Sequence, residues 1–64
     1  MEDYKLSDLI HYVKKGDLET ISLIYISDPT LIKANMKMLM AWAYQLNWDH
    51  IVFWLEKIKD DSHL

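Results

Sequence analysis

The stretch KANMKMLMAWAYQLNW, Lys33 to Trp48, predicts a helix that is apolar around almost its whole circumference. Projected at about 100° per residue, it carries two stripes on opposite faces. The first stripe is typical of a helix that faces its own core, and it consists of Met36, Leu39, Met40, Ala43 and Leu46. The second, which we call the outer stripe, consists of Met38, Ala41, Trp42 and Gln45. One small bundle cannot easily cover both, so the outer stripe either packs on a neighbouring helix or faces a partner.

The rest of the chain offers little interior for such a helix. A single domain of 64 residues buries only about 60% of the surface that its unfolded form exposes. The composition is 52% hydrophobic, with one Gly, one Pro and no Cys. Disulfides and thiolate zinc sites are therefore excluded as staples, and three scattered histidines do not suggest a metal cage. Oligomerisation, or docking on a larger partner, is the means of stabilisation that remains.

The charge argues against nucleic acid as a partner. The net charge is −3, with seven lysines and no arginine. Nucleic-acid binding needs a basic surface for phosphates, and without arginine the chain has no bidentate fork for phosphate or carboxylate.

The sequence also favours a cytoplasmic location. The longest apolar run, Met38 to Tyr44, has seven residues, whereas a membrane span needs about 20. The N-terminus has no apolar segment of the signal-peptide type, and the lack of cysteine fits a reducing compartment. Lysine, isoleucine and asparagine usage is typical of an A+T-rich genome such as that of a phage or other mobile element. We therefore expect a protein of the cytoplasm, or of a host's cytoplasm if it is viral.

Apolar residues at helical spacing predict an all-α fold with four main helices in residues 1–64. A first helix pair is expected over 6–26 and a second over 35–59, with a frayed tail over 60–64. Between the pairs, Leu31 and Ile32 are expected to form a short turn.

Capping signals set the helix ends. Ser7 is a candidate N-cap of the first helix, and Gly16 is expected to end it in the left-handed conformation. Asp17 can cap the next helix, and Asn47 is expected to end the third.

The two halves of the chain share one pattern. SDLIHYVKKGDLETISLI, residues 7–24, and MLMAWAYQLNWDHIVFWL, residues 38–55, place Gly16 and Asn47 at matching positions, 31 residues apart. Each half reads as helix, tight turn, helix. This pattern resembles the ankyrin repeat, a two-helix unit of about 33 residues.

Several residues carry that resemblance. Gly16 lies at the turn of the first half, and the apolar places of the following helix are filled by Leu18, Ile21, Leu23 and Ile24. In the second half, the run Met40 to Ala43 overlies the Leu-His-x-Ala stretch of the ankyrin motif. The resemblance implies two antiparallel helix hairpins, with Trp42 and Gln45 at variable positions that in this family usually face a concave binding surface. An unrelated small helical bundle is the alternative fold.

Aromatic residues near the outer stripe extend the candidate surface. Phe53 falls on the polar side of the last helix, away from Ile51 and Ile58. Several such residues together would form a patch of a size typical of interfaces. The predicted protein-binding residues are Met38, Ala41, Trp42, Gln45, Trp48, Phe53 and Tyr44.

No catalytic, cofactor or metal site is predicted. His50 follows Asp49, but consecutive residues of a helix do not face each other. Asp17 and Glu19 are explained by helix capping and the helix dipole, and Gly16 alone makes no phosphate-binding loop.

The sequence therefore predicts a small non-enzymatic interaction protein that binds a larger protein and regulates or inhibits it. The alternative is a structural homo-oligomer, a dimer being favoured, with the Met38 and Trp42 stripe as its self-interface. Attachment to a membrane surface is not expected, because the apolar helix lacks a basic polar face.

Overall fold

Helices make up most of the chain. The computed structural model describes residues 4–61, and within them it contains five α-helices and no strand. They are α1 (Leu6–Lys15), α2 (Leu18–Ser27), α3 (Pro29–Ala34), α4 (Met36–Gln45) and α5 (Asp49–Asp61). The prediction of an all-α fold is confirmed. The last helix reaches Asp61, so the predicted frayed tail begins inside α5, and its residues 62–64 lie outside the described residues.

The short helix α3 stands where a turn was expected. The Asp28 carboxylate accepts a hydrogen bond from the Leu31 backbone N–H at 3.3 Å, and Pro29 occupies the first helical position, where its missing N–H costs nothing. Ile32 is completely buried and anchors α3 to the core. The prediction of four main helices was wrong in this respect, because a cap, a proline and one anchoring side chain suffice for six residues of helix.

The two predicted helix ends have the same geometry. Gly16 and Asn47 both adopt left-handed backbone conformations, with φ of 72° and 61°. The N–H of Asp17 donates to the carbonyl of Tyr12 at 3.0 Å, and that of Trp48 donates to the carbonyl of Ala43 at 2.8 Å. Each bond reaches back five residues, as in a Schellman motif. The predicted ends at Gly16 and Asn47 are confirmed.

Every helix contributes to one apolar core. α1 packs against α2 and α4, α4 packs against α5, and α3 contacts α2 and α4. Tyr25 of α2 meets Trp54 of α5 edge to face, with ring centroids 5.6 Å apart. The completely buried side chains are Leu9, Ile24, Ile32, Leu39, Ala43, Ile51 and Leu55. No polar or charged side chain is buried in the part of the chain that the structure describes, so the core is held by apolar contact alone.

The turn at Gly16 should tolerate a side chain less well than the turn at Asn47. A left-handed backbone costs an ordinary residue about 1–2 kcal/mol. A Cβ added at Gly16 would also lie 2.9 Å from Cε2 of Trp48, whereas Asn47 already carries one. We expect Gly16→Ala to lower the free energy of unfolding more than Asn47→Ala does, as measured by urea titration. Equal losses would show that Trp48 moves aside freely.

The cap at Asp17 should make stability depend on pH. A side-chain hydrogen bond from the Thr20 hydroxyl (2.7 Å) and a second from its backbone N–H (3.2 Å) hold the pKa of Asp17 below its ordinary 3.8. Because the folded pKa is the lower one, the cap stabilises the fold above the unfolded pKa, and this stabilisation is lost as pH falls through the folded pKa.

Melting curves of wild type and Asp17→Asn should therefore differ at neutral pH and converge only as the pH falls through the folded pKa of Asp17, which lies below 3.8. Asp28→Asn serves as a comparison at the other carboxylate cap. A difference between wild type and Asp17→Asn that is independent of pH would contradict the prediction.

Candidate interaction surface

Two aromatic side chains on α4 and α5 project into solvent. Tyr44 is 58% exposed and Phe53 is 66% exposed. The Tyr44 hydroxyl lies 3.4 Å from a carboxylate oxygen of Glu56, a long hydrogen bond that ties the end of α4 to the middle of α5. Phe53 precedes Glu56 by one helical turn and shares its side of α5. We call Tyr44, Phe53 and Glu56 the aromatic face.

The outer stripe of α4 is divided between solvent and a neighbouring helix. Ala41 and Gln45 are exposed, whereas Met38 and Trp42 are partly buried. The Lys14 ammonium of α1 lies 4.8 Å from the centroid of the Trp42 ring, a distance typical of a cation–π contact. The Trp42 ring also packs against the core. Part of Trp42 is therefore covered by α1, which leaves Ala41 and Gln45 as the open part of the stripe.

Trp48 lies between the two turns. Its indole is the group closest to the position that a Cβ on Gly16 would occupy, and the ring of His50 meets it edge to face, with ring centroids 5.8 Å apart. His50 Nε2 lies 3.0 Å from the Gly16 carbonyl oxygen, and because that oxygen can only accept, the bond requires a proton on Nε2. The Trp48 N–H is buried and has no hydrogen-bond partner among the described residues. Of the predicted binding residues, Trp48 is therefore the one that packs between the turns at Gly16 and Asn47.

An exposed aliphatic pair on α2 was not predicted. Leu23 is 54% exposed and Ile26 is 76% exposed. The ankyrin resemblance puts Leu23 in an apolar place, but it projects from the side of α2 opposite the buried Ile21 and Ile24. The sequence signal for this pair is helical spacing, since a projection of α2 places Leu23 and Ile26 away from Ile21 and Ile24.

A second feature that sequence reasoning missed is an open groove at the start of α4. It has a volume of about 770 Å³, within the range typical of ligand sites. Its lining residues come from α3, α4 and α5, and they are Lys33, Ala34, Asn35, Met36, Lys37, Met38, Met40 and Lys59. We call it the lysine–methionine groove. Of the predicted binding residues it includes Met38 only.

Comparison with known proteins adds no family. A scan of family models, a search of curated proteins and a search of solved structures each gave no match to this chain. The ankyrin resemblance therefore stays a prediction. Within residues 4–61, no three His, Asp or Glu side chains are grouped so that they could hold a metal ion. None of the described helices is both long and apolar enough to cross a membrane.

The two aromatic residues Trp42 and Phe53 should respond differently to truncation. Replacing a completely buried aromatic residue by alanine lowers the free energy of unfolding by about 3–5 kcal/mol. Because Trp42 is only partly buried, Trp42→Ala should lower it by roughly half as much. Phe53→Ala should stay within about 0.5 kcal/mol of wild type, as exposed positions do. Urea unfolding of the two variants measures the contrast, and a neutral Trp42→Ala would mean that its contact with α1 and the core contributes nothing.

Proposed function

We propose that this chain is a non-enzymatic protein–protein interaction module that binds a larger protein and regulates or inhibits it by covering part of its surface. The observation that carries the proposal is the aromatic face. Two large aromatic side chains, Tyr44 and Phe53, remain more than half exposed, although burying them would stabilise so small a domain. Aromatic residues are enriched at the centres of protein interfaces.

The surroundings of the aromatic face support an interface. Ala41 and Gln45 are exposed on α4 beside Tyr44, and small and amide side chains allow close approach of a partner. Glu56 supplies a carboxylate within the face, and such a charge can fix the register of a complex. The hydrogen bond between Tyr44 and Glu56 restrains the tyrosine ring before binding, which lowers the entropy lost when a partner docks.

An ankyrin-like stacking of two helix pairs is consistent with this role. The turns at Gly16 and Asn47 have equivalent hydrogen bonds, the first helices of the two halves pack together, and Tyr25 meets Trp54 between the second helices. Stacked helix pairs commonly serve as binding scaffolds without catalysis. We therefore favour this arrangement over an unrelated bundle.

A homo-oligomer with the outer stripe as its self-interface has less support. Met38 and Trp42 are partly buried, and the Lys14 ammonium lies over the Trp42 ring. A symmetry mate would have to displace that ammonium or pack around it. Photocrosslinking separates the two functions, because a homodimer and a complex with a larger protein differ in mass.

Site-specific photocrosslinking tests the proposal in the cells that express the protein. The chain is made with p-benzoylphenylalanine in place of Phe53, in place of Tyr44 or, as a matched exposed control, in place of Thr30 on α3. We expect irradiation to give a discrete product heavier than twice the chain from positions 53 and 44 and none from position 30. Mass spectrometry of the product then identifies the partner.

Two results would overturn the proposal. A product of twice the chain mass and nothing heavier would assign the aromatic face to self-association. The same faint products from all three positions would show that the face has no specific partner.

A further inference from the structure

The apolar surface of α2 extends beyond the side that faces the core. Apart from Glu19, α2 contains no charged residue. Ile21 and Ile24 are buried in the core, where α2 contacts α1 and α3, whereas Leu23 and Ile26 are more than half exposed. A helix that is apolar around most of its circumference is normally covered on more than one side. The aliphatic pair, Leu23 and Ile26, is therefore a candidate contact for a second molecule.

The repeat pattern of the chain accounts for the exposure of Leu23. Positions 31 residues apart match in the two halves, as Gly16 and Asn47 do, so Leu23 corresponds to Trp54 and Tyr25 corresponds to Glu56. Where the halves meet, the ring of Tyr25 contacts that of Trp54 edge to face. In the first half, Leu23 therefore stands at the place where the second half is contacted by its neighbour, but there it is left exposed to solvent.

A second copy that continued the same stacking would make a poor contact with Leu23. By the same correspondence, it would bring its Glu56 to Leu23, as Tyr25 is brought to Trp54. A carboxylate that loses water to an aliphatic side chain, without gaining a hydrogen bond, is strongly disfavoured. The favourable contact between two copies therefore pairs like with like, α2 on α2.

An antiparallel contact of two α2 helices matches the order of residues along α2. With a two-fold axis midway between Leu23 and Ile26, each Leu23 meets Ile26 of the second copy, so the contact is self-complementary. The same axis places Ser22 opposite Ser27 of the second copy. Both serines are small, so the two helices can approach closely enough for the aliphatic side chains to touch.

The charges near α2 are compatible with this contact. In the antiparallel arrangement the two Glu19 carboxylates lie about 11 residues apart along the axis, roughly 16 Å, which is about twice the Debye length at physiological salt. The next acidic residue, Asp28, has its carboxylate engaged with the N–H of Leu31 at 3.3 Å. No pair of like charges is therefore placed directly across the contact.

We propose that α2 is the two-fold interface of a weak homodimer, in which Leu23 and Ile26 of one copy pack on Ile26 and Leu23 of the second. Two aliphatic side chains per copy supply much less area than the ~800 Å² per partner of a stable complex. The dimer is therefore transient, with a Kd on the order of 0.1–1 mM. The inference goes beyond the proposed function, because the aromatic face contributes no residue to this interface.

Sedimentation equilibrium of the purified full chain tests the dimer. Over concentrations that span the expected Kd, we expect the average mass to rise from one chain towards two and no further. Ile26→Glu should weaken self-association by at least about tenfold, because it places a carboxylate against Leu23 of the second copy. Leu6→Glu adds the same charge at an exposed leucine of α1 and should change the Kd by less than about twofold. Circular dichroism checks that both variants remain folded.

A spin label shows which surfaces of the two copies meet. Because the chain has no cysteine, Ser27→Cys gives a single labelling site at the end of α2. The spin-labelled chain is mixed with isotopically labelled wild type, so that only contacts between copies broaden the amide signals observed by NMR. We expect the strongest broadening at Ser22, which the two-fold contact places opposite Ser27, and little at Glu56.

Three results would overturn the inference. They are a mass of one chain at every concentration, equal losses from Ile26→Glu and Leu6→Glu, and the strongest broadening at Glu56, which would mean that copies stack head to tail. A fourth comes from p-benzoylphenylalanine in place of Ile26 in cells. A product heavier than twice the chain, with none of twice its mass, would assign the aliphatic pair to another protein.

Failure of this inference and failure of the proposed function can be told apart. The homodimer is tested on α2, whereas the partner is tested by crosslinks from Tyr44 and Phe53 on α4 and α5. A monomeric chain that still gives the heavier product from positions 44 and 53 would reject the dimer and support the proposed function.

Discussion

The contact of the Trp48 indole with Gly16 is the constraint on which the rest of the structure depends. The ring lies so close to the turn that a single added carbon would collide with it. The same turn needs a residue that adopts a positive φ without strain, and glycine meets both requirements. His50 adds a hydrogen bond to the Gly16 carbonyl oxygen. Through this junction the turn of the first half is joined to the turn of the second.

Once the turns are joined, the helices that flank them have little freedom. α1 lies beside α4, with Lys14 over the ring of Trp42, and Tyr25 on α2 meets Trp54 on α5. The core between them is apolar throughout its described part. Covering Trp42 on one side of α4 leaves the other side of that helix, with Tyr44, open to solvent, and it brings the start of α4 alongside the end of α5. The candidate interaction surface and the groove both follow from this placement.

What the sequence predicts correctly is mainly local. The ends at Gly16 and Asn47 depend on residues within one turn, and the buried Leu39 and Ala43 follow from helical spacing. The groove could not be predicted, because its lysines are far apart in sequence and meet only when α3, α4 and α5 pack. The contact of α1 with Trp42 could not be predicted either, since helical spacing shows which residues share a face but not which helix packs on that face. The helix α3 was missed for another reason: six residues are too few for a periodic pattern, although Asp28 and Pro29 marked its start.

The junction at Gly16 also has a consequence for the order of folding. The turn bonds that end α1 and α4 close over only five residues, whereas the bond between His50 and the Gly16 carbonyl joins residues 34 positions apart. Short loops close fast and at little entropic cost, and distant contacts must wait for them. Each half can therefore form its helices transiently by itself, but the indole of Trp48 finds its place only when both turns exist. We therefore expect the two halves to become stable in one cooperative step, so that neither half folds stably without the other.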